Sequence, residues 1–252
     1  DLAMRAAADV PMGAMWTFAP ENGPRPTYVA DLRGAASVAH VYGASHTGSE
    51  AFTAFEDPWT ATPGSLKHVA DLQLALGVTR FCIHSSPHQP STVPPPGMAL
   101  APFLGQTFSR NETWASMARP WIAYLTRCAA LLNEGEPAVE VAVFVGEEAP
   151  VTGLFGDGAD DTVPAGYGFD YVGADALARI LDVSGDRITA QGASYAVLYL
   201  GGSSGRMTLA TLRHIERLLA AGATVVGRAP EASPSLADDP EAFAALRDRI
   251  WG

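Results

Sequence analysis

The run Ser65-Leu66-Lys67-His68-Val69-Ala70-Asp71-Leu72-Gln73-Leu74-Ala75-Leu76-Gly77-Val78-Thr79-Arg80-Phe81-Cys82-Ile83-His84 carries the pattern from which the fold is read. Residues 65–76 form a helical segment ended by Gly77, and 79–83 an apolar strand that follows at once. The same alternation recurs on the amino-terminal side. There residues 10–16 read as a short strand, 28–39 as a helix with Leu32, Ala35 and Ala36 on one side, and 38–42 as an apolar run leading into the next strand. Beyond the Pro-rich stretch 91–97, residues 112–133 read as a long helix ended near Gly135. Strands alternating with amphipathic helices imply parallel βα units, as in a (β/α)8 barrel or an open doubly wound sheet. The segments after the strands (17–27, 43–64 and 85–110) are long and rich in polar and aromatic groups. Loops of this length are often functional, and in barrels the loops following the strands build the active site, so the asymmetry favours a barrel enzyme.

A second unit begins near Pro137. Residues 139–145 are an apolar run too short for a typical helix and rich in β-branched side chains, and so read as a buried parallel strand. Residues 170–181 read as a helix, 195–200 as a strand, 209–221 as a helix ended by Gly222, and 224–226 as a third strand. Short strands separated by helices suggest a flavodoxin-like sheet. Residues 238–251 read as a terminal helix with Pro240 in its first turn. The expected division is a barrel portion over 1–136, a flavodoxin-like domain over 137–236 and the last helix over 237–252.

Composition narrows the function. Of 252 residues 48% are hydrophobic, enough for real cores and against a disordered chain. With 27 acidic and 16 basic side chains the formal net charge is −11. Such a surface repels phosphate backbones and anionic lipid, so nucleic acid and membranes are poor partners, while neutral sugars remain open. No stretch approaches the ~20 apolar residues of a membrane span. The sequence has no signal-peptide pattern at its start, and both ends read as cuts within a longer protein. Cys82 and Cys128 each read as a small buried hydrophobe, and no CxxC or His/Cys spacing points to zinc.

The most informative segment chemically is His46-Thr47-Gly48-Ser49-Glu50-Ala51-Phe52. It follows the apolar run 38–42, which places Glu50 at or just beyond a strand's carboxyl end. A carboxylate there, among Phe52, Phe55 and Trp59, suits a general base or nucleophile for glycosidic cleavage; a salt-bridged loop glutamate is the competing reading. The strand 79–83 runs into His84, then Pro87-His88-Gln89-Pro90, supplying donors and acceptors matched to sugar hydroxyls. Arg110-Asn111-Glu112-Thr113-Trp114 opens the long helix, with Asn111 as an N-cap and Arg110 or Trp114 as sugar-site candidates. Gly201-Gly202-Ser203-Ser204-Gly205 matches the G-x-S-x-G elbow, but the required acid and histidine do not follow in order, so a serine hydrolase is rejected. The acidic stretch 157–161 fails the EF-hand spacing.

Several of these runs together resemble glycoside hydrolase family 106. His40-Val41-Tyr42-Gly43, Glu50-Ala51-Phe52-Thr53, Asp57-Pro58-Trp59, Arg80-Phe81 through His88-Gln89-Pro90, and Arg110 through Trp114 look like its barrel motifs. Val163-Pro164-Ala165-Gly166-Tyr167, Asp170-Tyr171-Val172, Ala174-Asp175-Ala176-Leu177 and Ala221 through Gly227 continue the likeness over nearly the whole chain. The resemblance implies an inverting α-L-rhamnosidase with a (β/α)8 catalytic barrel and calcium bound near the sugar. It also implies a much longer, periplasmic or secreted parent acting on rhamnose-containing carbohydrate. This chain would hold the last barrel strands and a flavodoxin-like, amidotransferase-like domain; lacking a Cys nucleophile at its strand ends, that domain takes a structural role. Glu50 would match the general base, with the acid upstream of Asp1. Trp16, His46, Trp59, His84, His88, Gln89 and Arg110 are then expected to line the sugar site. One departure stands out: where the family commonly reads Glu-Met-Trp or Glu-Phe-Trp, this sequence has Ala14-Met15-Trp16. That departure motivates the alternative of a non-catalytic carbohydrate-binding relative. A retaining glycosidase is a third reading, and the isolated piece is expected to be inactive without the rest of the parent chain.

Overall fold

The computed structural model describes residues 2–55, 59–90, 92–101, 103–104, 107–147, 165–201 and 204–252. The chain divides into two compact units, one of residues 12–32 and 46–135, the other of residues 1–11, 33–45 and 136–252. In chain order the elements as far as residue 135 are α1 (Leu2–Arg5), β1 (Met12–Met15), α2 (Pro26–Tyr42), β2 (Gly48–Ala51), α3 (Pro63–Ala75), β3 (Arg80–Ile83), a 3-10 turn (Ala115–Met117) and α4 (Arg119–Leu132). Thereafter come β4 (Val141–Phe144), β5 (Phe169–Val172), α5 (Ala174–Arg179), β6 (Asp182–Ser184), β7 (Arg187–Thr189), β8 (Ser194–Tyr195), β9 (Val197–Leu200), α6 (Leu209–Ala220), β10 (Val225–Gly227) and α7 (Pro240–Trp251).

In the unit of residues 12–32 and 46–135, β1, β2 and β3 form a parallel sheet in chain order. The register sets Gly13, Ser49 and Phe81 side by side, then Ala14, Glu50 and Cys82, then Met15, Ala51 and Ile83. Because strand side chains alternate faces, the first and third of these rows share one face and the middle row takes the other. Met15 and Ala51 join the apolar core with Leu32, Phe52, Leu66, Val69, Ala70, Val78, Trp121 and Leu125. On the opposite face Glu50 and Cys82 are exposed and Ala14 half-buried. Cys82 is thus not the small buried hydrophobe expected, and Cys128 is only half-buried.

Local chemistry explains the boundaries. The Thr62 hydroxyl accepts from the Ser65 amide at 3.2 Å, and the Ser65 hydroxyl accepts from the Thr62 amide at 2.8 Å. This reciprocal cap, with Pro63 in the first turn, starts α3. Two expectations fail here for identifiable reasons. The run 38–42 is the last turn of α2 rather than the approach to a strand, since the helix continues to Tyr42 and stops where Gly43 turns to φ +71°. The long helix begins at Arg119 rather than 112, because Pro120 lacks an N–H and its ring would clash with the carbonyl four residues back; it fits only the first turn. Asn111 accordingly caps nothing; its side-chain Nδ2 donates to the Pro96 carbonyl at 3.2 Å.

In the other unit, β4, β5, β9 and β10 form a parallel sheet in the spatial order β10-β9-β4-β5, and β6, β7 and β8 an antiparallel meander. The expected helix over 170–181 is mostly wrong in its first part. Phe169-Asp170-Tyr171-Val172 is a buried strand, and the helix starts only after Gly173. Three apolar residues surround one acid there, a pattern that follows burial on both faces rather than helical spacing. Asp170 is tolerated in this strand because it is satisfied. It accepts from the Tyr195 hydroxyl at 3.0 Å and meets His40 Nδ1 at 2.9 and 3.0 Å. Burial, followed by the Asp170 charge, holds the Tyr195 phenol protonated far above its ordinary range. The amino terminus of α6 is capped by Thr208, and Glu147 accepts from the Thr208 amide at 2.7 Å. The last helix, α7, takes Asp239 as its N-cap with Pro240 following, as its sequence indicates. Among the described residues no helix is long and apolar enough to cross a membrane.

Candidate active site

The candidate site is built from the carboxyl ends of β1, β2 and β3. Glu50 is a residue within β2, second from its end, rather than a loop residue beyond it. Its neighbours across the ladder are Ala14 and Cys82, so no second carboxylate flanks it on either adjoining strand. Phe52, next but one, takes the left-handed backbone conformation (φ +74°) with its ring fully buried. A non-glycine residue pays strain of order 1–3 kcal/mol there, sustained here by the surrounding structure. The Phe52 ring lies parallel to Phe81 at 5.9 Å and within about 6 Å of Phe108 and Trp121, and its amide donates to the Met15 carbonyl at 3.2 Å. The turn brings Thr53 back over the strand end. The Thr53 hydroxyl donates to Glu50 Oε1 at 2.9 Å, and the Thr53 carbonyl accepts from the Thr17 amide at 2.8 Å and the Thr17 hydroxyl at 3.3 Å. On the other face Ser49 donates to Gln73 Oε1 at 2.6 Å, fixing β2 to α3. The carboxylate therefore projects from a strand whose far side is tied down.

The remaining sequence candidates do not all gather there. Trp16 follows β1 directly and lies 4.5 Å from Phe55 and 5.4 Å from Tyr28. His84 follows β3 directly, with its amide donating to the Ala51 carbonyl at 2.9 Å. Trp59 is half-buried with φ +72°, and His88 is exposed. His46 sits at the opposite end of the sheet. It precedes β2, and its Nδ1 lies 3.3 Å from the Thr79 hydroxyl just before β3. Gln89 is buried and its amide is consumed internally, accepting from the Met98 amide at 2.8 Å and donating to the Met98 carbonyl. Arg110 is exposed and donates to the Gln89 carbonyl at 2.7 Å. Gln89 and Arg110 thus hold the loop after β3 in shape. Asp57, Pro58, Ser203 and residues 157–161 lie outside the described residues.

Sequence reasoning missed Thr53 and Tyr28. Thr53 was legible only as part of a motif, since its role depends on the left-handed turn at Phe52. Tyr28 has its phenol pushed up by burial, against a smaller opposing effect of Arg25, and stays neutral.

Among the described residues no group of three or more His, Cys, Asp or Glu side chains could hold a metal ion. Calcium needs six to eight oxygen ligands, usually with several carboxylates. The carboxylates among the described residues do not gather into such a set. A depression of about 440 Å³ along α4 is lined by Arg119, Ile122, Ala123, Thr126 and Arg127, and offers no carboxylate for bond cleavage.

The family described as alpha-L-rhamnosidase, glycoside hydrolase 106, matches residues 1–252. The solved structure of a rhamnosidase from Novosphingobium sp. PP1Y is 46% identical with a TM-score of 0.93, over 100% of this chain and 24% of that one. A curated protein of Formosa agariphila, named provisionally as a beta-glucuronidase, is 32% identical over 250 residues, 98% of this chain and 20% of its own length. The chain thus spans about a fifth to a quarter of the relatives it matches.

Proposed function

The chain belongs to glycoside hydrolase family 106, the alpha-L-rhamnosidases, and on that premise we propose that the full-length protein hydrolyses terminal α-L-rhamnosides with inversion, using Glu50 as general base. The observation that carries this reading is the position of Glu50. It stands near the carboxyl end of a central parallel strand, on the face away from the apolar core, with Thr53 donating to it at 2.9 Å. Barrel active sites sit at the carboxyl ends of the strands. Three successive parallel βα units fit an arc of such a barrel, whose inner face would be completed by further strands. The other sheet, with chain-order strands arranged 2-1-3-4, fits a flavodoxin-like domain in a structural role.

In the proposed reaction Glu50 takes a proton from water as the water oxygen attacks the anomeric carbon opposite the leaving group. The bond from that carbon to the glycosidic oxygen breaks, and a second carboxyl gives the leaving oxygen its proton. Inversion needs the two carboxyls about 6.5–9.5 Å apart, to leave room for the water. A carboxyl on an adjoining strand would lie only about 5 Å away. Ala14 and Cys82 flank Glu50, so neither adjoining strand provides such a close pair. We assign the acid to polypeptide outside this chain.

The test is hydrolysis of p-nitrophenyl α-L-rhamnoside by the full-length protein, with the anomer first released identified by proton NMR. The β-anomer supports inversion, and the α-anomer contradicts it. Turnover of an aryl β-D-glucuronide in place of the rhamnoside would overturn the sugar assignment. Ala14, standing where the family commonly carries glutamate, favours one second reading, a carbohydrate-binding protein without turnover. Calorimetry showing rhamnoside binding with no hydrolysis would select it.

A further inference from the structure

The end of β2 carries one residue more than its partner strand can match. The Phe52 amide donates to the Met15 carbonyl at 3.2 Å, as the parallel ladder requires. The next amide on the β1 side to reach across is that of Thr17, and an unbroken ladder would set it on the Phe52 carbonyl. It takes the Thr53 carbonyl instead, at 2.8 Å. Phe52 is therefore the extra residue of a bulge, and its left-handed backbone (φ +74°) makes the kink. The side chains record the same step. Strand residues alternate faces, so residue 52 of a regular strand would stand on the face of Glu50, one place beyond it. Ala51 and Phe52 are instead both fully buried in one core cluster, and Thr53 returns to Glu50 with its hydroxyl at 2.9 Å.

We infer that Phe52 is a positioning residue for the candidate base, acting through Thr53, and that the site needs its left-handed backbone rather than its aromatic ring. This rests on the reading of Glu50 as base. The bulge does two things at once. It removes from the sheet face the bulky ring that would stand beside the carboxylate. It also carries Thr53 one residue round, so that the hydroxyl donates to Glu50 and the carbonyl binds Thr17. The buried ring, packed near Phe81, Phe108 and Trp121, holds a backbone conformation that a bulky residue rarely adopts. Cys82, in register with Glu50, and His84, which follows β3, are the titratable groups of the adjoining strand on that side. The β1 side has Ala14 and Trp16 in the corresponding places and offers none.

The experiment compares Phe52→Leu with Phe52→Ile in the full-length protein. Both variants lose the ring and keep the same side-chain volume, but isoleucine is branched at Cβ and resists a left-handed backbone. With p-nitrophenyl α-L-rhamnoside, Phe52→Ile is expected to show a kcat about tenfold below that of Phe52→Leu, the order of a hydrogen bond to a charged group. The acidic limb of its kcat/KM profile is expected to move to higher pH, because the carboxylate has lost a donor. In a Thr53→Val background the difference between the two variants is expected to vanish. Equal kcat and equal profiles for the two, or a difference that persists without the Thr53 hydroxyl, overturn the inference. Should Phe52→Ile not fold, Phe52→Gly takes its place, since glycine adopts the left-handed conformation without a ring. Its acidic limb is expected to match that of wild type, and a limb shifted as in Thr53→Val overturns the inference. Should the wild-type protein hydrolyse no rhamnoside, the reading of Glu50 fails by itself. The inference is then judged by crystal structures of the Leu and Ile variants, where a Thr53–Glu50 hydrogen bond kept in both overturns it.

Discussion

The hydroxyl of Thr53 donates to the carboxylate of Glu50 at 2.9 Å, across a left-handed turn at Phe52 whose ring is buried in the core. Core packing thereby reaches the proposed base through a single residue. Replacing Thr53 by Val keeps the shape and removes the donor. Hydrogen bonds to charged groups contribute about 1.5–3 kcal/mol, and the exposure of Glu50 lets water replace part of that. The expected loss in kcat/KM of the full-length enzyme is therefore about tenfold, with Thr53→Ser retaining most activity. A Thr53→Val enzyme as fast as wild type would show that this contact does not position the base.

Close approach of α2 to β1 depends on Gly13. A Cβ there would stand 2.9 Å from the Asp31 backbone carbon and oxygen and 3.0 Å from its carboxylate, which accepts from the Ala14 amide at 2.7 Å. Gly13→Ala is expected to cost about 1–3 kcal/mol in chemical denaturation, as overpacked sites do. An unchanged midpoint would mean that helix and strand separate freely.

Tyr195→Phe tests the buried polar cluster. Asp170 keeps its contact with His40 but loses the phenol donor, so a destabilisation of about 1.5–3 kcal/mol is expected on denaturation in urea. A variant as stable as wild type would show that His40 alone satisfies the carboxylate.

Asp238 carries a pH signature. The Ser233 hydroxyl at 2.6 Å, and then the Leu209 amide at 2.7 Å, hold its carboxyl below the usual value, against a smaller opposing effect of burial. A depressed carboxyl stabilises the fold above the unfolded value, about 3.9, and that contribution is lost as pH falls through the folded value. Asp238→Asn should therefore be less stable than wild type at pH 7, by roughly 1 kcal/mol or less given solvent screening. The difference should close as acidification takes the pH below the unfolded value and through the lowered folded one. A gap independent of pH would remove the charge from the explanation.

What the sequence made legible follows from physics. Strands with apolar side chains and clear stops, such as 79–83 after Gly77, were placed to within a residue. The last helix was legible from Pro240 in its first turn, whereas α3 begins at Pro63 after its Thr62 cap, two residues before the start read from the sequence. Where tertiary context decides, sequence reading failed. The strand Phe169–Val172 holds a buried Asp170 whose partners lie far along the chain, and helix α2 runs on through the apolar residues 38–42 that read as the approach to a strand. At the candidate site, Trp16 and His84 come from strand ends legible in the sequence, whereas β2, which holds Glu50, lies inside the stretch 43–64 that reads as a loop. The inward use of Gln89 and the place of His46 at the amino end of the sheet depend on loop geometry that no local pattern carries.

The most direct test is Glu50→Gln in the full-length protein, with p-nitrophenyl α-L-rhamnoside as substrate. The substitution preserves size and removes the proton acceptor. Loss of a general base costs about 10²–10⁴-fold in rate, so kcat is expected to fall by at least about a hundredfold while the protein stays folded. Turnover at the wild-type rate would take Glu50 out of the mechanism.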